Sequence, residues 1–322
     1  MNKKRLNIGF IIFDVALVLL YIGASWYFAS VLVGFPQRSV AQVAESMQER
    51  GYRTDPADFG LPTPEEVTIT VDDEIQLAGW YFDNPVDGQC GLVFLHGHTG
   101  ARLHGLIYSE PFWTRGCDLL MFDARHHGES TGEYGTYGYH EKEDTRVALR
   151  WFEDKTGLTT DEIGLAGVSY GAATVLQAAA LEPNIAFVIA DSPYQDLATI
   201  VREQAVNQYG SLMFLLEPGA FFFAGLRADF RPTQVSPLEA ASDIQSPVFL
   251  THSLQDEYTL PDHSRAIAAN LDPSRSVLEI TNWDSPHAKA VYQRTDDFYA
   301  MINDFLQTYA PEYGLSAAGH SD

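Results

Sequence analysis

Basic residues are scarce in this chain. Twenty lysines and arginines stand against 43 aspartates and glutamates, a formal net charge of −23 at pH 7, and lysine is much the rarer cation. A nucleic-acid partner is thereby excluded, because no basic stripe exists to displace counterions from phosphates. The acidity reads as a soluble, self-repelling surface; the shortage of lysine also fits adaptation to a salty milieu, and neither reading bears on the fold. Internal repeats and low-complexity tracts are lacking as well. Cysteine is reduced to Cys90 and Cys117. His126 and His127 stand side by side, but no carboxylate or thiolate lies at ligand spacing from them, so they read as loop structure and no metal is expected. What remains is ordinary globular material, 46% apolar and 20% charged over 322 residues, enough for one large α/β domain or two small ones.

The first 36 residues are a different material. Lys3, Lys4 and Arg5 precede an apolar run from Ile8 to Phe35 whose only charge is Asp14. About 20 apolar residues span a bilayer, and this run exceeds that. A cleaved signal would have a shorter apolar region and a clear small-x-small site, for which "GAS" at Gly23 to Ser25 is a weak candidate. The expectation is an uncleaved single-pass anchor over 1–36, basic end cytoplasmic and the rest extracytoplasmic. A polar, partly helical stalk over 37–64 should follow.

From residue 65 the character alternates. "EVTITV", "IQLAGWYF", "GLVFLH", "DLLMFD", "IGLAGV", "AFVIAD", "PVFLTH" and "SVLEIT" read as strands. Most are continuous apolar runs separated by helix-like segments, the pattern of a parallel sheet covered on both faces. A body over 65–310 would carry an irregular insert at about 195–245 and leave a tail at 311–322.

One corner bears chemistry. In "IGLAGVSYGAATVL" a strand passes directly into an Ala-rich helix, with Ser169 between Gly167 and Gly171. So tight a turn crowds the atoms flanking its apex, and residues without side chains relieve it. The apex hydroxyl then projects above the sheet at a helix N-terminus, where peptide dipoles favour developing negative charge. Serine needs a base oriented by a third group. Asp256 lies in the loop after "PVFLTH", ahead of Glu257 and Asp284 as the acid. His287 lies in the loop after "SVLEIT". Both leave the carboxyl ends of parallel strands, where open α/β sheets bind ligands. "FLHGHTG" places the N–H of His98 to form an oxyanion hole with that of Tyr170.

With "HGHTG", "DARHHGES", "GVSYG", "ADSPY", "LQDEYTLP" and "SPHAKA", the chain resembles the α/β-hydrolase superfamily. Within it, it is most similar to membrane-anchored, serine-aminopeptidase-like or BAAT-like bacterial hydrolases. The resemblance implies an α/β fold with a mostly parallel eight-stranded sheet and a helical lid in the insert. It also implies Ser169 as nucleophile, Asp256 as acid, His287 as base, and His98 with Tyr170 as the oxyanion hole. Two positions depart from the pattern: Ser253 stands where Gly often follows the histidine before the acid, and Arg125-His126-His127-Gly128 replaces Arg-Gly-x-Gly.

The expected activity is cleavage of an ester or related acyl bond in a small, partly apolar molecule through an acyl-enzyme, without a cofactor. Thioesterase and peptidase activity use the same machinery, and a non-catalytic scaffold is the alternative from another class. Met213, Phe214, Phe221 and Phe222 in the insert are expected to wall the substrate site, and Asp191, Ser192 and Tyr194 to cap or line its edge. Cys90 and Cys117 immediately precede strands that are neighbours in the superfamily's order, so the thiols should lie together at the non-catalytic edge; whether they bond is open.

Overall fold

The computed structural model describes residues 3–314 apart from Asp87, with side chains from Gly9 onward. The expected tail therefore lies, from residue 315, outside the described residues, as do the side chains of Lys3, Lys4 and Arg5. The described residues build one eight-stranded sheet from β1 (Glu65–Thr70), β2 (Gln76–Phe82), β3 (Gly91–Leu95), β4 (Asp118–Phe122), β5 (Ile163–Val168), β6 (Val188–Asp191), β7 (Val248–Ser253) and β8 (Ser276–Thr281). Its order is β1-β2-β4-β3-β5-β6-β7-β8. β2 pairs antiparallel with β1 and β4, and the remaining pairs are parallel.

The helices are α1 (Lys3–Val33), α2 (Val40–Gln48), α3 (Glu110–Trp113), α4 (Glu141–Thr156), α5 (Tyr170–Ala179), α6 (Leu197–Tyr209), α7 (Glu217–Ala228), α8 (Pro237–Ala240), α9 (Asp262–Ala268), α10 (Ala290–Gln293) and α11 (Thr295–Tyr309). β3 and β5 are buried along their whole length, which is why they read as unbroken apolar runs. The two-residue period still sorts their side chains: Leu92 and Phe94 join Ile302 and Phe305 on one face, whereas Val93 and Leu95 join Phe152 and Leu176 on the other. α6 and α7, joined by a short 3-10 turn (Ser211–Leu215), form the insert between β6 and β7.

Cys90 and Cys117 are bonded, with Cα atoms 4.6 Å apart, because Gly91 and Asp118 are partners across the β3–β4 pair. The open question about these thiols closes on the bonded form.

Residues 37–64 differ from the expected stalk. Val43 and Met47 of α2 are buried in the main core with Leu61. The amide of Gln37 donates to the Ser130 carbonyl at 2.8 Å, and the rings of Tyr52 and Tyr292 lie 4.5 Å apart. Val40, Val43, Ala44 and Met47, at helical spacing, form an apolar face that converts the connector into part of the body. α1 does not stop at the body's surface either. Its last turns bury Ala29 and Val33 against Phe221 and Ala224 of α7, and Phe35 enters the body beyond them.

Candidate active site

The corner at Ser169 is as crowded as its sequence suggests. A Cβ on Gly167 would fall 2.5 Å from the Gly171 carbonyl carbon, and one on Gly171 would fall 2.3 Å from the Leu95 carbonyl oxygen. Ser169 itself takes φ 54°, ψ −113°, a conformation L-residues rarely adopt. Such strain costs on the order of 1–3 kcal/mol and persists only where surrounding structure enforces it. Here the Ser169 N–H is held by the Asp191 carbonyl at 2.7 Å.

That geometry delivers the Ser169 hydroxyl to His287. Oγ lies 2.8 Å from Nε2, and the opposite ring nitrogen, Nδ1, lies 2.6 Å from Oδ2 of Asp256. Asp256 is buried, and its other oxygen accepts from the N–H groups of Tyr258 and Thr259, both at 2.9 Å. Burial pushes the carboxyl up, but hydrogen bonds from His252, His287 and the Thr259 N–H outweigh it and hold Asp256 below the usual carboxylate range. Asp256 is thus a fixed anion against the imidazole. Asp284 is exposed and borders no part of this chain of contacts.

Both departures from the superfamily pattern acquire a physical role. The Ser253 hydroxyl donates to the carbonyl of Ser285, tying the end of β7 to the loop that carries His287. His126 adopts φ 58° where glycine is usual, and its Nε2 lies 2.8 Å from the Phe35 carbonyl. The turn after β4 is fixed further by Arg102, which is buried and paired with Asp123, Glu66 and Glu129.

His98 sits beside the serine: a Cβ on Gly97 would lie 3.6 Å from the Cβ of Ser169. Tyr170 begins α5, and its N–H belongs to the first turn, where helix donors have no partner within the helix. Burial lowers the His98 imidazole to about 4, so this ring stays neutral. It is packed 4.3 Å from the ring of Phe35 and stacked 5.6 Å from that of Tyr137.

A cavity of about 400 Å³ opens on Ser169 and His287, bounded also by His98, Tyr108, Tyr258 and Lys289. A second, of about 230 Å³, shares His98 and Tyr258 with it and is walled by Phe28 and Leu32 of α1, Ile200 of α6, and Met213 and Phe214. Met213 and Phe214 therefore stand where the sequence suggests, but three residues expected to bind substrate do not line either cavity. Phe221 is buried between α7 and α1, Phe222 is 61% exposed on the outer face of α7, and Tyr194 is buried with its hydroxyl donating to the Tyr137 carbonyl at 2.6 Å. The reason is α1, whose arrival takes the inner face of α7 for helix packing. Asp191 and Ser192 form a closed turn, with Asp191 accepting from Tyr108, Ser192 and Thr251. The α1 wall, Phe35, Tyr137, Tyr258 and Lys289 were missed. Only Tyr258, within "LQDEYTLP", and Lys289, within "SPHAKA", had a signal in the sequence.

The sheet order, the strand-to-helix corner and the three-residue hydrogen-bonded chain define an α/β hydrolase. A family model, X-Pro dipeptidyl-peptidase (S15 family), matches residues 40–216, and the chain belongs to that family of hydrolases. Among curated proteins it is similar to YqkD of Bacillus subtilis, 33% identical over 231 residues that cover 70% of this chain and 74% of that one. A thiohydrolase of Aspergillus aculeatus, aneE, is 30% identical over 134 residues, 41% of this chain and 42% of the other. Among solved structures, a Pyrococcus furiosus esterase, Pf2001, superposes with a TM-score of 0.64 at 22% identity, covering 85% of this chain and 98% of its own. A Pyrococcus horikoshii acylaminoacyl peptidase gives a TM-score of 0.61 at 17% identity, over 79% of this chain and 43% of its own.

Proposed function

We propose that this protein is a membrane-tethered serine hydrolase that cleaves an ester or related acyl bond. The observation that carries the proposal is the contact chain Ser169–His287–Asp256, at 2.8 and 2.6 Å, opening on a cavity of about 400 Å³. In this reading Ser169 Oγ attacks the carbonyl carbon and its proton passes to Nε2 of His287. Asp256 accepts the Nδ1–H and stabilises the imidazolium. The N–H groups of His98 and Tyr170 hold the oxyanion. His287 then protonates the leaving oxygen as the carbon–oxygen bond breaks. A water, deprotonated by the same imidazole, attacks the acyl-enzyme, releases the acid and restores Ser169.

Membrane tethering rests on α1, whose segment Gly9–Val33 is long and apolar enough to cross a bilayer and is exposed over most of its length. With the basic N-terminus inside, the body lies outside the cytoplasm, an orientation compatible with the Cys90–Cys117 bond.

The family's description favours a second reading, cleavage of a peptide after an X-Pro pair. A dipeptidyl site must hold the substrate's N-terminal ammonium, yet the charged side chain on this cavity is Lys289, a like charge. The ester reading is therefore preferred. A fluorophosphonate probe should label the protein at Ser169, and nitrophenyl esters should turn over faster than X-Pro amides. Faster amide cleavage would install the peptidase, and an unlabelled, inactive protein would install the scaffold.

A further inference from the structure

The membrane helix is part of the cavity wall. Phe28, Val31 and Leu32 of α1 face Ile200, Met213 and Phe214 across the 230 Å³ cavity, which meets the nucleophile's cavity at His98 and Tyr258. At ~1.5 Å per residue, the stretch from Gly9 to Trp26 is roughly 27 Å long, close to the thickness of a bilayer's hydrocarbon core of ~30 Å. The next turns of α1 are thus both the exit from the bilayer and the wall of the site.

The lid meets α1 at that level. A Cβ on Gly219 would collide with the side chains of Ser25 and Tyr21, so the start of α7 is seated directly on α1. Trp26 packs 5.4 Å from Phe223 and lies 4.0 Å beneath the Arg227 guanidinium, and Phe28 packs 5.4 Å from Tyr209. Around this seam the lid exposes Leu212, Phe214, Leu215, Phe222 and Leu226, each more than half exposed. Apolar side chains gathered beside a transmembrane segment, with Trp and Tyr among them, form a surface suited to the bilayer interface.

The other end of the site is cationic. Lys289, on the cavity wall, forms no ion pair among the described residues, although acids outnumber bases in the chain by 43 to 20. Burial, with Arg50 adding to it and Asp191 opposing, holds its ammonium below its ordinary value. The Lys289 ammonium lies beside the packed rings of Tyr52 and Tyr292, 5.1 and 4.9 Å from their centroids, which fixes it without neutralising it. A cation on the cavity wall with no ion pair among the described residues is placed to meet an anionic group of the substrate.

We infer that the substrate is an anionic acyl lipid drawn from the bilayer, its chain entering between α1 and the lid and its anionic head meeting Lys289. The inference rests on the serine-hydrolase reading and gives it a substrate class. The ester carbon–oxygen bond breaks, Ser169 carries the acyl chain, His287 protonates the head-group alkoxide, and water then frees the fatty acid.

Full-length protein in phosphatidylcholine vesicles tests this with two measurements. Across nitrophenyl esters of increasing chain length, kcat/KM should rise by up to roughly fourfold per added methylene until the cavity is filled. Leu32→Trp, which fills it, should flatten the series. When phosphatidylglycerol is doped into the vesicles, fatty-acid release from it should exceed that from phosphatidylcholine by about tenfold, and Lys289→Gln should bring the ratio towards one. A flat chain-length series or equal release from both lipids, in protein that hydrolyses nitrophenyl butyrate, overturns the inference and leaves the hydrolase reading standing. Failure of butyrate hydrolysis and of fluorophosphonate labelling together overturns both.

Discussion

Two regions of this molecule meet at His98 and Tyr258 and are built by opposite rules. At the carboxyl edge of the sheet, Ser169, His287 and Asp256 are polar, mutually hydrogen-bonded and positioned by close backbone contacts. At the seam of α1 and the lid, the groups are apolar, partly exposed and held by ring packing. The first region has narrow geometric tolerance, so changing one atom should remove most of its function. The second works by area, and its losses should be graded. In the proposed function, the first region performs the chemistry and the second chooses the substrate.

The largest break expected is Ser169→Ala. It removes the attacking oxygen, and because members of such a unit act together, kcat should fall by on the order of 10⁴ to 10⁶ while the fold persists. Steady-state turnover beside circular dichroism checks this; activity within tenfold of the parent would remove the serine mechanism.

Asp256→Asn comes next. The carbonyl of an asparagine would be claimed by the N–H groups of Tyr258 and Thr259, which turns the amide NH₂ towards His287. Nδ1 could then no longer donate, the tautomer is wrong, and a loss of roughly 10⁴ follows. Asp284→Asn, at an exposed position, should change little. The reverse ranking in kcat/KM would reassign the acid.

Away from both regions, the Cys90–Cys117 bond closes a loop of 27 residues. In the chain-entropy account a loop of that size is worth about 3–4 kcal/mol. Cys90→Ala/Cys117→Ala should lower the denaturant midpoint accordingly with kcat retained. An unchanged midpoint, or two titratable thiols in the unreduced denatured protein, would show that the bond is not formed.

Acid should separate the regions further. His96, His98, His104 and His127 are held below the ordinary imidazole value, burial being the main cause in each, with His98 at about 4 and His104 at about 3. An unfolded chain protonates these rings near pH 6.5 while the folded one does not. Their contribution is therefore complete above about pH 6.5 and is lost as pH falls towards the folded values, at up to ~1.4 kcal/mol per pH unit for each ring. Urea midpoints at pH 7.5, 6 and 5 should fall progressively; a flat series would place these rings in contact with water.

The difference between the regions also explains what was legible in the sequence. The corner at Ser169 and the eight strands are local patterns, and Asp256 and His287 were legible because each lies in a loop that directly follows a strand. Phe35 against His98 and Leu32 in the cavity wall depend on where a long helix docks, which no local period encodes. The assignment of Phe221 and Phe222 to the substrate wall failed for the same reason: composition announced an apolar helix and could not say that α1 would occupy its inner face. Ser253 shows the reverse case, a departure from the family pattern whose use emerges only when Ser285 is placed beside it.

The smallest expected effect tests the seam itself. A Cβ on Gly219 would lie 2.2 Å from the Ser25 hydroxyl and 2.8 Å from its Cβ, whereas one on Gly23, in the same stretch of α1, would meet nothing within 4 Å. Gly219→Leu must therefore push α7 away from α1, an overpacking cost of typically 1–3 kcal/mol. Gly23→Leu should be silent, because its side chain points into open space. The thermal midpoint in detergent should fall by a few degrees for the first variant and hold for the second. Tryptophan fluorescence would report the same event, since Trp26 loses Phe223 and Arg227 when the helices part. Equal behaviour of the two variants would mean that α1 and α7 do not pack in solution, and the helix-walled cavity would have no basis.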